Sequence, residues 1–174
     1  IHEDLQSARN YAEEGLSAAQ EAGNLFYEML HSYLLAYAFI GLKKWSEAEE
    51  LFGKSIEILK KIGLQGEISY RWAGLASLYL AQGLLDQAVQ QVDLILDDLA
   101  ANQTNATNQP AMLPLHTCCL VLRAANDPRF PQVLAAAYNH LQNLADKIQN
   151  EDLRKSFLNN IPSVSYTHLR AHET

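Results

Sequence analysis

An internal repeat, with a period of about 40 residues, constrains the fold more than any other feature of the sequence. Ala8, Ala48 and Ala88 are equally spaced, and the residues around them align without gaps. In every copy, small or apolar residues follow at offsets of four, seven and eight, as Phe52 and Ser55 follow Ala48. Those offsets mark one face of an α-helix. Each block is therefore predicted to contain an amphipathic helix, with a small residue where a neighbour approaches closely.

A second helical pattern precedes the repeating alanine in two of the blocks. It reads Ser32-x2-Leu35-Ala36-x2-Phe39 in one block and Trp72-x2-Leu75-Ala76-x2-Tyr79 at the same place in the next. We therefore expect each block to form a hairpin of two helices.

The link between the two helices carries end signals in both blocks. Gly41 and Gly83 suit the end of the first helix, because glycine adopts the left-handed conformation at little cost. Ser46 and Asp86 are expected to cap the start of the second helix, because their side-chain oxygens can accept from free backbone N–H groups.

The pattern resembles the tetratricopeptide repeat. Trp72, Leu75, Tyr79 and Ala88 match that motif, although its usual length is shorter, about 34 residues, and neither block ends with proline. The resemblance implies an all-α solenoid of stacked antiparallel helical hairpins. The residues expected to define its packing are Leu35, Ala36, Phe39, Ala48, Phe52, Trp72, Leu75, Ala76, Tyr79, Ala88 and Val92.

The sequence predicts four segments, the last of which is 164–174. Residues 1–100 hold the repeats, the first of them incomplete. Residues 101–110 are polar, uncharged and aperiodic, which predicts a flexible loop; its two Asn-x-Thr sequons are interpreted as incidental. A helical hairpin and a capping helix are expected over 111–163. The predicted helical regions are 5–22, 25–62, 67–100, 112–125, 130–149 and 151–159.

The C-terminal part carries a second resemblance. Residues 133–148 and 153–162 look like the carboxy-terminal cap of the helical-repeat region in large bacterial signalling ATPases, proteins similar to the maltose-regulon activator or to nucleotide-cyclase-linked regulators. The matching residues are Leu153, Arg154, Ser156, Phe157, Leu158 and a closing Asn-x-Pro. This implies a larger cytoplasmic regulator with an upstream ATPase domain. The start at Ile1, already inside a helical pattern, favours the same expectation.

The last eleven residues, 164–174, resemble the translation of a sequencing adapter. On that interpretation the natural polypeptide stops near Ser163, and His168 and His172 have no functional meaning. The alternative is an ordinary polar tail with a weak metal-binding His-x3-His pair.

Composition excludes several classes of function. The chain carries 13 Lys and Arg against 20 Asp and Glu, a net charge of −7, which disfavours nucleic acid as a partner. The longest apolar run, 33–42, is about half of what a bilayer-spanning helix needs. Cys118 and Cys119 are adjacent, so on a helix they diverge by about 100° and form neither an ordinary disulfide nor a chelate. A reduced, cytoplasmic setting is expected.

The sequence contains no recognisable catalytic motif, and we expect no enzyme activity, cofactor or metal. His116 and Cys119 share a helix face and are the best pair for a nucleophile and its base, but a packed cysteine is the favoured interpretation. The lone His31 and His140 are expected to pack. Acidic clusters are interpreted as solvated faces, with Asp93 and Asp97 repelling each other unless a partner compensates.

The first helix of each hairpin lines the concave groove in tetratricopeptide proteins, where extended peptides bind. The resemblance therefore implies a groove of Tyr33, Tyr37, Ile40, Tyr70, Ser77 and Leu80. The competing interpretation is that these tyrosines simply pack against neighbouring helices. The lysine and asparagine that clamp a carboxylate in some family members are absent at these positions, which disfavours a charged C-terminal peptide.

The predicted function is a non-catalytic interaction or sensor region. It would bind a protein segment, an effector or upstream domains of the same parent protein, and neither nucleic acid nor membrane. The alternative is a self-standing scaffold. Its first helix would then stack on another chain through an exposed stripe that includes Leu5, Ala8, Ala12 and Leu16.

Overall fold

A computed structural model describes residues 2–101 and 112–160. These residues form eight α-helices and one 3-10 turn, Gln65–Glu67, and contain no β-strand, which confirms the prediction of an all-α fold. The helices are α1 (His2–Glu21), α2 (Leu25–Gly41), α3 (Trp45–Lys61), α4 (Ile68–Gln82), α5 (Leu85–Ala101), α6 (Met112–Ala124), α7 (Phe130–Ala145) and α8 (Glu151–Asn160).

Two predicted segments lie outside the described residues. They are the polar loop beyond Ala101, with its sequons, and the adapter-like segment 164–174.

Five of the described helices end in the same way, with a residue of positive φ just beyond the last turn. After α2, the N–H of Lys43 donates to the Ile40 carbonyl at 3.0 Å and the N–H of Lys44 donates to the Phe39 carbonyl at 2.9 Å. These bonds occupy carbonyls that the end of a helix leaves free. The positive-φ residues are Gly23, Lys43, Gly63, Gly83 and Asn126. Gly23 and Gly63 stand one repeat apart, as do Lys43 and Gly83, so the repeat in the sequence recurs in the backbone.

The prediction that a left-handed glycine ends the first helix of each hairpin is right in one block and wrong in the other. Gly83 is left-handed with φ 76, whereas Gly41 is the last residue of α2 and Lys43 takes the left-handed position with φ 58. Gly41 has a different role, because a Cβ there would lie 2.6 Å from Cδ2 of Leu5. Its missing side chain lets α1 approach α2.

The predicted caps are also wrong. Ser46 and Asp86 lie inside the first turns of α3 and α5 rather than before them. Lys44 is the N-cap of α3 and makes no side-chain capping bond. Its ammonium group lies 5.2 Å from the centre of the Phe39 ring instead.

Consecutive helices pack against each other, and α2 also contacts α4, which in turn contacts α6. Eight of the eleven predicted packing residues are buried, and Ala48 and Ala88 have no exposed surface. Trp72, Leu75 and Tyr79 are half-buried. The eight buried residues are Leu35, Ala36, Phe39, Ala48, Phe52, Ala76, Ala88 and Val92.

The apolar stripe of α1 is mostly covered within the chain. Ala12 and Leu16 belong to a cluster with Leu35 and Phe39 of α2, and only Ala8 of the four stripe residues is exposed. The expectation that this whole stripe needs an external cover is therefore wrong.

The C-terminal helices follow the predicted order with one difference. α7 ends at Ala145, four residues before the predicted limit of 149. The following turn is held by Arg154 of α8, whose Nε and Nη2 donate to the Ile148 carbonyl at 3.1 and 3.0 Å. α8 packs on α7 but leaves Leu153 63% exposed.

Candidate interaction surface

The tyrosines of α2 form a connected aromatic cluster. The rings of Tyr33 and Tyr37 meet edge to face, with centroids 5.1 Å apart. Both rings also contact the buried Phe52 of α3, at 6.1 and 5.4 Å. Edge-to-face contacts of this kind stabilise a fold beyond the area they bury. Tyr33 and Tyr37 remain half-buried, so they pack on the core and still reach the surface.

Arg71 of α4 joins this cluster through its guanidinium group. That group lies 4.8 Å from the centre of the Tyr33 ring. Its Nε donates to Ser55 Oγ at 3.3 Å, and its Nη1 donates to the Glu67 carbonyl at 3.0 Å. Ser55 Oγ in turn donates to the Met29 carbonyl at 3.1 Å. One 4% exposed arginine therefore connects α2, α3 and α4.

Burial dominates the electrostatics of the cluster. It raises the pKa of Tyr33 and Tyr70, and it raises the pKa of Tyr37 well above the usual range. Burial also lowers the pKa of Arg71, against the favourable charge of Glu67. The tyrosines are therefore neutral at physiological pH.

The other predicted groove residues lie along the same helices. Ile40 packs on the cluster around Ala48, and Leu80 packs on the cluster around Val92. Ser77 Oγ donates to the Ala73 carbonyl at 2.8 Å. All six predicted groove residues are half-buried. Ala73, one helical turn before Ser77, is fully buried and belongs to the core.

The sequence did not lead us to predict two residues of this site, Arg71 and Phe26. Arg71 stands four residues after Glu67, a spacing that is typical of a solvent-exposed ion pair, whereas Arg71 is buried here. Phe26 lies seven residues before Tyr33 and hence on the same face of α2; it is 48% exposed. The seven-residue spacing would have found Phe26, but nothing in the sequence indicates the burial of Arg71.

We define the aromatic surface as Phe26, Tyr33, Tyr37, Ile40, Tyr70, Ser77 and Leu80, with Arg71 beneath it. It offers aromatic rings and aliphatic side chains, and its one arginine is occupied by Glu67 and Ser55. Such a surface suits a weakly polar segment better than an anion, because tyrosines give a large contact area with few rotors to freeze.

The cysteines have the environment of packed side chains rather than nucleophiles. Cys118 and Cys119 are free thiols and are buried. Burial raises their pKa values to about 12 and about 11, so the reactive thiolate is scarce at neutral pH. Burial also lowers the pKa of His116. This arrangement favours the packing interpretation of the His116 and Cys119 pair.

The repelling pair Asp93 and Asp97 has a compensating cation. Arg129, at the start of α7, donates from Nη1 to Asp93 Oδ1 at 2.6 Å and from Nη2 to Asp127 Oδ2 at 2.7 Å. This ion-pair group connects α5 with the link before α7.

Within the part of the chain that the structure describes, no group of three or more His, Cys, Asp and Glu side chains is placed to hold a metal ion. None of the described helices combines the length and apolar character needed to cross a membrane.

The described residues thus define an all-helical protein with one aromatic surface between α2 and α4. Comparisons of the chain with protein-family models, with curated proteins and with solved structures found no match.

Proposed function

We propose that this chain is the non-catalytic interaction or sensor region of a larger bacterial signalling or transcription-regulating ATPase, and that it binds a protein segment on the aromatic surface. The observation that carries the proposal is the pairing of Tyr33 and Tyr37, which stay half-buried while Arg71 fixes Tyr33 from below. Rigid aromatic side chains of this kind lose little entropy when a partner binds.

The proposed architecture is a tetratricopeptide-like solenoid. The 40-residue recurrence of helix ends at Glu21 and Lys61 and of helix starts at Trp45 and Leu85 supports it, as does the burial of Ala48 and Ala88. In such an array each unit contacts mainly its neighbours. A segment bound across α2 and α4 would therefore bias the angle between two units, which is how occupancy would reach an adjoining domain.

The proposed setting is the bacterial cytoplasm. Two buried free thiols support a reducing compartment. The ATPase assignment rests on the resemblance of residues 153–162, and contiguous genomic sequence tests it. A coding region with a nucleotide-binding ATPase domain upstream would support the proposal, whereas an uninterrupted reading frame without one would contradict it.

Binding can be tested with a phage-displayed library of short random peptides, panned on the purified chain. We expect enrichment of extended, weakly polar sequences that contain aliphatic or aromatic residues. The affinity of one enriched peptide is then measured for wild type and for Phe26→Ala. Phe26 is 48% exposed, so the variant should keep its fold while losing about tenfold in affinity.

Leu153→Ala is the matched control. Leu153 is a 63% exposed apolar residue of α8, which packs on α7. The affinity of this variant for the peptide should equal that of wild type. Failure to enrich any peptide, or equal losses in the two variants, would contradict binding at the aromatic surface.

The alternative function is a self-standing scaffold for the assembly of a protein complex. The observation that favours it is the exposure of Tyr11 on α1, which at 75% is the highest among the exposed large apolar residues of the described chain.

A further inference from the structure

Charge is distributed unevenly between the two helices of each hairpin. Counting Asp, Glu, Lys and Arg, α2, α4 and α6 together contain three charged residues, whereas α1, α3 and α5 contain seventeen. The three are Glu28, Arg71 and Arg123. The helices that carry the aromatic surface are therefore nearly free of charge, although the chain as a whole is acidic.

The charged groups on α2 and at the start of α4 are paired within the chain. Oε1 of Glu28 lies 2.8 Å from Nζ of Lys54 on α3. Oε2 of Glu67, just before α4, lies 3.5 Å from Nη1 of the buried Arg71. A charged ligand would have to compete with these pairs or lie unpaired against apolar side chains, and an unpaired charge that leaves water is costly. The charge pattern therefore favours an uncharged segment.

The aromatic surface is built on helices, and this limits the hydrogen bonds that it can offer to a ligand. The backbone N–H and C=O groups within α2 and α4 bond inside their own helices, and Ser77 Oγ donates to the Ala73 carbonyl at 2.8 Å. The surface therefore cannot pair with an extended segment as the edge of a β-sheet does. Backbone N–H groups of an ordinary extended segment that face the rings would lose water without gaining a partner, which weakens binding.

Proline avoids this loss because it has no backbone N–H. A proline-rich segment also adopts the polyproline II conformation before it binds, so binding costs less conformational freedom. Grooves lined by aromatic side chains are a general site for such segments. The neutral rings of the aromatic surface therefore suit a proline-rich ligand better than another extended one.

The spacing of side chains along α2 fits the same ligand. Phe26, Tyr33 and Ile40 follow each other at intervals of seven residues, on one side of the helix and about 10 Å apart along its axis. A polyproline II helix has three residues per turn, so every third residue lies on one side, at intervals of about 9 Å. Successive turns of such a segment would meet these three side chains in order.

We propose that the aromatic surface binds an uncharged, proline-rich segment of a partner protein in the polyproline II conformation, with a proline at every third position against Phe26, Tyr33 and Ile40. This inference rests on the proposed function, because it names the ligand of the same surface. The competing occupant is an amphipathic helix, whose N–H groups are also satisfied before binding.

Three labelled peptides of equal length test the proposal, and fluorescence anisotropy follows their titration with the full chain. The first consists of Ala-Pro-Pro repeats. The second consists of Ala-Val-Thr repeats, which favour an extended chain with free N–H groups, and the third of Ala-Ala-Gln repeats, which favour a helix. The proline peptide should bind at least about tenfold more tightly than either of the others. Added salt should leave its affinity unchanged, because no ion pair forms.

Variants of the chain locate the bound peptide. Phe26→Ala should weaken the proline peptide about tenfold, and the fold should persist because Phe26 is 48% exposed. Leu153→Ala, at an exposed position of α8, is the control and should leave the affinity unchanged. Circular dichroism checks that each variant stays helical.

Several results would overturn the inference. Equal or tighter binding of the valine or glutamine peptide is one, and affinity for the proline peptide that Phe26→Ala leaves unchanged is another. Absence of binding by all three peptides is a third. The panned library separates these failures from failure of the proposed function. Enriched peptides that lack proline but depend on Phe26 would leave the proposed function standing, whereas the lack of any Phe26-dependent peptide would contradict both.

Discussion

Phe52 of α3 lies directly against the backbone of Gly74 in α4. A Cβ placed on Gly74 would be 2.2 Å from Cε1 of that ring, far inside contact distance. Phe52 belongs to one repeat block and Gly74 to the next, and both are buried. The absence of a side chain at Gly74 therefore sets how closely the two blocks approach each other.

Gly74→Ala should lower the free energy of unfolding by about 1–2 kcal/mol. The methyl group must displace a fully buried ring, and overpacking of a core costs about 1–3 kcal/mol. The gain in helix propensity, up to about 1 kcal/mol, offsets only part of this cost. Urea denaturation followed by circular dichroism measures the change.

Gly53→Ala is the matched control, one residue after Phe52 on α3. A Cβ there has no atom within 4 Å, so only the propensity gain remains and stability should rise by up to about 1 kcal/mol. Equal effects of the two substitutions would contradict the close approach of α3 and α4.

Lys43→Gly should stabilise the chain by about 1 kcal/mol. Lys43 adopts a left-handed conformation with φ 58, which costs an L-residue about 1–2 kcal/mol relative to glycine. Its side chain is exposed. Gly83→Ala, at the equivalent link with φ 76, should destabilise by a similar amount. Thermal unfolding of both variants tests the pair, and a loss of stability in Lys43→Gly would show that its side chain has a role.

Arg71→Met should lower the free energy of unfolding by about 2 kcal/mol. The substitution removes hydrogen bonds from a charged donor to Ser55 and Glu67 and the contact with the Tyr33 ring. Arg71→Lys should recover less than half of the loss, because an ammonium group cannot form the planar fork. Arg123→Met, at an exposed position of α6, is the control and should be neutral.

The ion pair between Asp127 and Arg129 predicts that the stability of the fold decreases in acid. Side-chain and backbone hydrogen bonds from Arg129 lower the pKa of Asp127 from 3.8 to about 2. A depressed folded pKa contributes stability above the unfolded pKa and loses it as the pH falls. The difference in the free energy of unfolding between wild type and Asp127→Asn should therefore be constant at neutral pH and shrink as the pH falls from 3.8 to about 2. A difference that grows in acid would contradict this.

The repeat makes the helices predictable because it fixes both period and register. Spacing alone predicts that Ala48 and Ala88 lie in the core, and both are fully buried. Helix ends are harder to predict. A Schellman motif needs a left-handed residue, which favours glycine but does not require it. The left-handed conformation of Lys43 therefore could not be predicted from the sequence, and the role that was predicted for Gly41 belongs to Lys43.

Residues of the aromatic surface can be predicted from the sequence only where they share one face of a single helix. Tyr33 and Tyr37 can be found because they stand four residues apart on α2. Arg71 cannot be found, because its burial depends on Ser55 from α3 and Tyr33 from α2 closing around it. A contact that side chains of three helices make only once leaves no repeating pattern in the sequence.

The most direct test of the account is the site at which an enriched peptide binds the full chain, mapped by 1H–15N NMR. The account predicts that the largest shift changes fall on amides of α2 and α4 around Phe26, Tyr33 and Ser77. Changes confined to α6, α7 and α8, with the α2 and α4 amides unmoved at saturation, would contradict it.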